Sequence, residues 1–453
     1  MKLALVISAL AVALTGCGGG GGGATSSSTT MSNSASISSA SAASSPHPFI
    51  PSLVTGDFKG DGSTYVVLSG WIVGNTIPKV KIYKLTSTGA TDATTDILGA
   101  DFSLSVNYPQ VADFNRDGID DIFFAGFTDG TGASQSNQSV AFISQSGQSH
   151  LRVDVAGLTW SHGSTVVDLN NDGWLDVANQ YGDFWINNHA NGFIYMPNYS
   201  NWAGSQAFRG SGLCAGDLDS SGNVSIVVVD VSTANAFKDT WIYKLDSNLQ
   251  SYKVAELPIP YFERSNTTLT SRSADVSCAV GDLNNDGQLD IVVVSSLMDN
   301  AIVGASGAQS IVQIYINQGN LTFTETTDTA FVGGYNQSIL ASYTPKLIDL
   351  NGDGILDIWL MNTNRTASSG GVAESANQAW INSGLGLFTQ TKRSYLNTVV
   401  QAYNFLSGSN SDTAGIMIPI KVNGTWNFAI SNSWSNGAST ITYFGYAKSQ
   451  LTF

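Results

Sequence analysis

The chain has 453 residues, 42% of them hydrophobic, so it can bury a substantial core, yet no stretch of useful length carries the periodicity of an amphipathic helix. Its formal charge of -15 excludes the basic face that nucleic acid demands, and no nucleic-acid partner is expected. The acids are thirty aspartates against four glutamates, an imbalance that points to turns and oxygen ligands rather than to solvated helix faces.

Residues 1–16, "MKLALVISALAVALTG", hold one lysine and then an apolar run from Leu3 to Leu14. The run is too short for a permanent membrane span and has the length of a signal-peptide core. Leu14-Thr15-Gly16-Cys17 resembles a bacterial lipobox, which implies that Cys17 is lipidated and becomes the first mature residue. Gly18 in place of an aspartate implies sorting to the outer membrane or cell surface. Residues 17–46 continue as a Gly/Ser-rich stretch that cannot bury a core and reads as a flexible tether. The globular domain is expected over 47–453.

Within that domain one loop recurs. "DFNRDGIDDIFFAG" starts at Asp113, "DLNNDGWLDVANQ" at Asp168, "DLNNDGQLDIVVVSS" at Asp282 and "DLNGDGILDIWLM" at Asp349, all fitting D-x-N-x-D-G-x-x-D before a strand-like run. Two weaker copies start at Asp57 and Asp217. The starts are spaced by 56, 55, 49, 65 and 67 residues, a period that fixes the architecture before any other consideration. A turn-rich stretch from Asn404 reads as a seventh, ligand-free copy.

Oxygens at positions one, three and five of a tight loop, with a carboxylate a few residues later, are what a hard cation such as Ca2+ requires, and glycine at position six permits the sharp turn. The candidate ligands are Asp113, Asn115, Asp117 and Asp121; Asp168, Asn170, Asp172 and Asp176; Asp282, Asn284, Asp286 and Asp290; and Asp349, Asn351, Asp353 and Asp357. An EF-hand is excluded, because it needs glutamate at position twelve, where these loops have Phe124, Asn179, Val293 and Leu360. About four structural Ca2+ ions are therefore expected. Asp, Asn and Gly also dominate ordinary turns, but four copies of one ligand pattern go beyond that preference. The copies at Asp57 and Asp217 read as plain turns.

Each repeat reads as four strands. In the fifth these are "DVSCAVG", "IVVVSS", "SIVQIYIN" and "LTFTETT"; in the sixth, "TPKLI", "IWLMN", "NQAWIN" and "LFTQTK". Units of roughly 50 to 60 residues with four strands predict an all-β, seven-bladed β-propeller of antiparallel blades, with "STITYFGY" as the fourth strand of the last blade. Cys214 and Cys278 precede loops of neighbouring repeats at offsets of three and four residues from the first aspartate. Strand alternation at those offsets argues against a simple bridge, whereas an export compartment argues for one. A disulfide and two buried thiols both stay open.

These loops and the hairpins "YINQGNLTF" and "WINSGLGLF" resemble the FG-GAP/VCBS repeat family, whose members include the calcium-bearing propeller of integrin α chains and many bacterial surface proteins. The resemblance covers essentially the whole of 47–453. It implies calcium loops between strands one and two on one face of the disc, and ligand contacts on the opposite face.

On that opposite face the long connections 127–139, 297–310 and 363–377 and the blade junctions 196–211 and 258–275 are expected. The candidate ligand-binding residues there are Tyr199, Trp202, Tyr261, Arg264 and Arg272, together with Trp160 and His162, since aromatic rings beside polar groups suit sugars or peptides. Aromatic residues at junctions also pack between blades. No G-x-S-x-G, H-E-x-x-H, C-x-x-C or phosphate-binding loop is present, and no catalytic residue is assigned. The expectation is a monomeric, membrane-anchored, non-catalytic binding module for a glycan or an envelope or extracellular protein. The rivals are a polysaccharide lyase or hydrolase on the same scaffold, with His162, Arg264 and Arg272 as candidates, and a periplasm-facing assembly partner.

Overall fold

A computed structural model of the chain describes residues 49–448, apart from 73–78, 87–88, 105, 107–108, 127–137, 159–162, 181, 198–209, 231–239, 260–272, 298–308, 333–338, 341, 363–377, 391–412, 423–424 and 436–439. Six successive spans, 49–92, 110–158, 164–196, 210–256, 273–325 and 342–390, each form an antiparallel sheet whose four strands pair in chain order. Two sheets gain a short fifth strand against their third: Phe102–Ser103 on blade one and Ile339–Leu340 on blade five.

The first strand of each blade lies against the first strand of the next, which sets the first strands around an axis and the fourth at the rim. This is a β-propeller. The last sheet, within 413–448, closes the circle. Its first strand, Thr413–Val422, lies against blade six on one side and against Phe49–Gly56 of blade one on the other.

The last sheet corrects the expected seven four-stranded blades: among the described residues six are complete and this one has three strands. The strand after the Asn404 stretch is the first of its sheet, not the second, and "STITYFGY" falls in the third strand, Thr440–Lys448. The first strand pairs with the second, Thr425–Ser435, down to Val422↔Thr425, so only Asn423-Gly424 connects them. Asn-Gly is the strongest two-residue hairpin signal, and it occupies the place where the other blades carry their nine-residue loop.

The hydrophobic second strands follow from the stacking of blades, which buries both faces of every sheet. Ile291 and Val293 pack toward blade four with Val227, Val229 and Ile242, while Val292 and Val294 pack toward blade six with Ile358, Leu360 and Trp380. Alternation of inward and outward side chains is therefore absent, because there is no solvent face to serve. Equivalent clusters fill the seams between blades one and two, two and three, and three and four. Each fully buried aliphatic side chain in them contributes about 1.5–3 kcal/mol.

Cys214 and Cys278 form a disulfide with Cα atoms 5.6 Å apart. The offset mismatch that counted against a bridge turns out to be its requirement. The two cysteines lie in different sheets that face one another, so Cys214 must point forward to blade five and Cys278 back to blade four. Offsets of opposite parity place them that way, and both side chains join the same seam cluster.

Candidate metal centres

In all six looped blades the nine-residue loop joins the first strand to the second and follows one backbone path. Position four has a left-handed φ in every copy, 61° at Arg116, 59° at Asn171, 61° at Asn285 and 83° at Gly352, with Gly60 and Ser220 alike in the weaker copies. Position six is a left-handed glycine throughout, from Gly62 to Gly354. The side chain at position two anchors the loop: Phe58, Phe114, Leu169, Leu218, Leu283 and Leu350 are all buried.

The first aspartate organises the turn. Asp282 Oδ1 accepts the N–H of Asp286 at 3.1 Å and its Oδ2 that of Gly287 at 2.8 Å. Asp113, Asp168 and Asp349 do the same, and so do Asp57 and Asp217. The weaker copies therefore share the turn and lack only donors. At position five, Asp117, Asp172, Asp286 and Asp353 each accept the backbone N–H of position seven and the amide N–H of the asparagine at position three. Positions one, three and five thus gather at the half-exposed mouth of each loop.

Position nine is placed differently. Asp121, Asp176, Asp290 and Asp357 are fully buried and point into the blade. In each, one carboxylate oxygen accepts the N–H of position two, at 2.7 Å for Phe114 and 2.8 Å for Leu169, Leu283 and Leu350. The other accepts a backbone N–H from the end of the third strand: Ser144 at 2.6 Å, and Asn187, Asn317 and Asn382 at 2.8 Å. Burial pushes these carboxyls up, to about 7 for Asp176 and about 6 for the other three, against the pull of the N–H groups.

The third-strand asparagines are a site that the sequence pattern did not single out. Asn317 Nδ2 donates to Leu289 O in its own loop and, at 2.7 Å, to Leu218 O in the preceding blade. Asn382 reaches Leu283 O and Asn187 reaches Phe114 O in the same way. The signal was present as "WIN", "YIN" and "WIN" at the ends of the third strands, where it reads only as the close of a repeat.

Three carboxylates and an amide oxygen per loop are a hard-oxygen set that fits Ca2+ by type. Among the described residues, no three aspartate, glutamate, histidine or cysteine side chains converge on one metal position. The asparagine amides at position three also point N–H at the position-five carboxylates, so an arriving cation would displace those hydrogen bonds. On the same face, His189 Nε2 lies 2.8 Å from Asp172 Oδ2 and its ring stacks on Trp174, with the Arg116 guanidinium 4.6 Å from that indole.

Of the remaining candidates, Cys17, Trp160, His162, Tyr199, Trp202, Tyr261, Arg264 and Arg272 all lie outside the described residues, as does most of every long connection assigned to the opposite face.

Sheet order, blade stacking and the recurrent loop define the class: an all-β propeller. No protein-family model matches the chain, and no curated protein sequence does. Solved structures with which it aligns include an exotype rhamnogalacturonan lyase, 11% identical, with a TM-score of 0.39 over 92% of this chain and 76% of the other. They also include an exo-β-1,3-galactanase from Phanerochaete chrysosporium in complex with β-1,3-galactotriose, 10% identical, with a TM-score of 0.31 over 90% and 93%.

Proposed function

We propose that the chain is an FG-GAP/VCBS-type propeller, exported and lipid-anchored through Cys17, which binds about four structural Ca2+ ions and presents a glycan- or protein-binding face at the cell envelope. The observation that supports the metal is the repetition: one loop backbone and one oxygen set, four times over, with the side chains of positions one, three and five at the same half-exposed mouth each time. Calcium would be held by positions one, three and five, with Asp121, Asp176, Asp290 and Asp357 bracing the loop to the third strand. The cation neutralises the loop and touches no ligand.

The binding face is argued from topology. In an antiparallel meander the loop side carries the connections from strand one to two and from three to four. The strand ends that bracket 127–137, 298–308, 363–377, 198–209 and 260–272 all lie at the other end of the sheets. Connections that long, anchored on rigid strands, are where binding residues concentrate. The disulfide supports export, since such bonds persist in oxidising compartments.

The test is a glycan array of the exported chain in calcium, with mass spectrometry on any polysaccharide bound. Binding without cleavage supports the module. Chain shortening would reassign the protein to carbohydrate-active enzymes, and no glycan binding would move the weight to an envelope protein as ligand. The metal is tested separately: Asp286→Ala with Asp353→Ala should lower Tm in calcium and remove the share of the EGTA sensitivity that these two of the four loops contribute. Unchanged melting in both media would sink the calcium assignment.

A further inference from the structure

The two loops that depart from the cation pattern depart from it together, at three positions. At position nine they carry Tyr65 and Ser225 in place of aspartate. Directly across the ladder, on the third strand, Tyr65 pairs with Lys84 and Ser225 pairs with Lys244. In the other four blades the same register, one step beyond the pairs Ile122↔Phe142, Val177↔Trp185, Ile291↔Tyr315 and Ile358↔Trp380, brings position nine opposite Ile143, Ile186, Ile316 and Ile381. The residue that follows changes as well, from Asn187, Asn317, Asn382 or Ser144 to Leu85 or Leu245.

Both ammonium groups reach the loop mouth. Lys84 Nζ lies 2.6 Å from Oδ2 of Asp61, the position-five carboxylate, and Lys244 Nζ lies 2.6 Å from Oδ2 of Asp219 at position three and 3.0 Å from Oγ of Ser221 at position five. The blade-four pair is largely shielded, with side-chain exposures of 12% and 19%. Burial raises the Asp219 carboxyl, but Lys244 and the Ser221 hydrogen bonds together outweigh it and hold the group below its ordinary value; Asp61 is likewise held at about 2, with Lys84 and Ser63 together overcoming burial. An incidental surface ion pair would not arise twice from the same register position, each time with the same two accompanying exchanges.

We propose that Lys84 and Lys244 are resident cations: their ammonium groups supply the positive charge that the four D-x-N-x-D-G-x-x-D loops leave to a divalent ion, so the loops of blades one and four hold their turn without metal. The contrast with the other loops rests on the calcium reading above; the role of the lysines does not. An ammonium has three donors and a fixed tether, so it can satisfy two or three loop oxygens without the six or more that Ca2+ seeks.

The experiment melts the full chain and its Lys244→Met, Lys244→Arg and Lys84→Met variants in excess EGTA and in excess calcium, with calcium stoichiometry by titration calorimetry. Lys244→Met is expected to lower Tm by at least about 2 °C in both media. Lys244→Arg should recover most of that loss, and the wild type should bind about four ions, one for each intact loop. A Met variant that fails to fold while the Arg variant folds supports the proposal equally. Melting of Lys244→Met and Lys84→Met that matches the wild type in EGTA overturns the proposal, as does a wild-type stoichiometry of six. A wild type that binds no calcium removes the calcium reading alone, because the comparison in EGTA still decides the lysines.

Discussion

At the residue scale, the position-nine aspartate and the third-strand asparagine form a relay that stitches loop, blade and neighbour. Asp290 holds the backbone N–H groups of Leu283 and Asn317, and the Asn317 amide then holds Leu289 O and, across the seam, Leu218 O. Asn317→Ala removes the donor from two carbonyls at once, one of them buried in the neighbouring blade. It should cost about 2 kcal/mol in denaturant unfolding, because a buried acceptor without a partner forfeits its hydration. Asn317→Leu, the exchange that blades one and four carry in place of asparagine, should rescue none of this, since leucine offers no donor; equal midpoints for wild type and both variants would remove the relay from the account. His150 pins another seam. Its backbone N–H donates to Ile97 O of blade one, its Nε2 bonds Asp120 O of blade two at 3.0 Å, and its buried Nδ1 has no partner. Burial lowers its pKa below the ordinary 6.5, so the fold prefers the neutral ring. The stability it contributes is fully present above pH 6.5 and is lost as pH falls through the depressed folded value. Between pH 7 and pH 5 the wild type should therefore lose more stability than His150→Gln, measured as the difference in unfolding free energy; parallel pH profiles would show that the ring does not titrate in this range.

At the element scale, most strands were legible because turn residues and β-formers alternate in blocks. The four strands expected for blade five appear as Ser273–Gly281, Asp290–Leu297, Gln309–Asn317 and Phe323–Glu325. The disulfide was illegible for a specific reason: the alternation rule holds for two cysteines in one sheet, and stacking of separate sheets inverts its parity. Closing a loop across a sequence separation of 64 residues removes chain entropy from the unfolded state equivalent to about 4 kcal/mol in the simplest treatment. The double variant Cys214→Ser, Cys278→Ser should lose a large part of that in guanidinium unfolding, and dithiothreitol should shift the wild type but not the variant. Wild-type curves that coincide with and without reductant would show two thiols in the seam instead. Position nine was half legible. Its aspartate stands out in the pattern, but spacing alone cannot tell a carboxylate aimed at a loop mouth from one turned into the blade, and only the burial of Asp121, Asp176, Asp290 and Asp357 separates the two.

For the whole molecule, stability depends on closure, because each seam is an apolar interface that only the adjacent sheet covers. The period of the loops exposed six blades to sequence reasoning; a seventh unit was expected from Asn404, but the strands of this last sheet were misnumbered because no aspartate loop stands between Val422 and Thr425 to serve as marker. That sheet nevertheless takes the place of a blade at the ring's join. Ile418, Ile420 and Val422 are buried, and the carbonyl of Lys421 accepts the hydroxyl of Thr64 from blade one at 3.2 Å. A chain ending at residue 412 would leave blade one and blade six each with an uncovered face and the strand Phe49–Gly56 without its neighbour. Exposed apolar faces of that kind drive association. Truncation after 412 is therefore expected to abolish the soluble monomer, seen as aggregation or strong dye binding in size-exclusion and ANS measurements, whereas removing residues 1–46 should leave melting unchanged. A truncated chain that stays monomeric and melts cooperatively near the full-length Tm would show that the six four-stranded blades close without help, and the join would then have to lie directly between blades six and one.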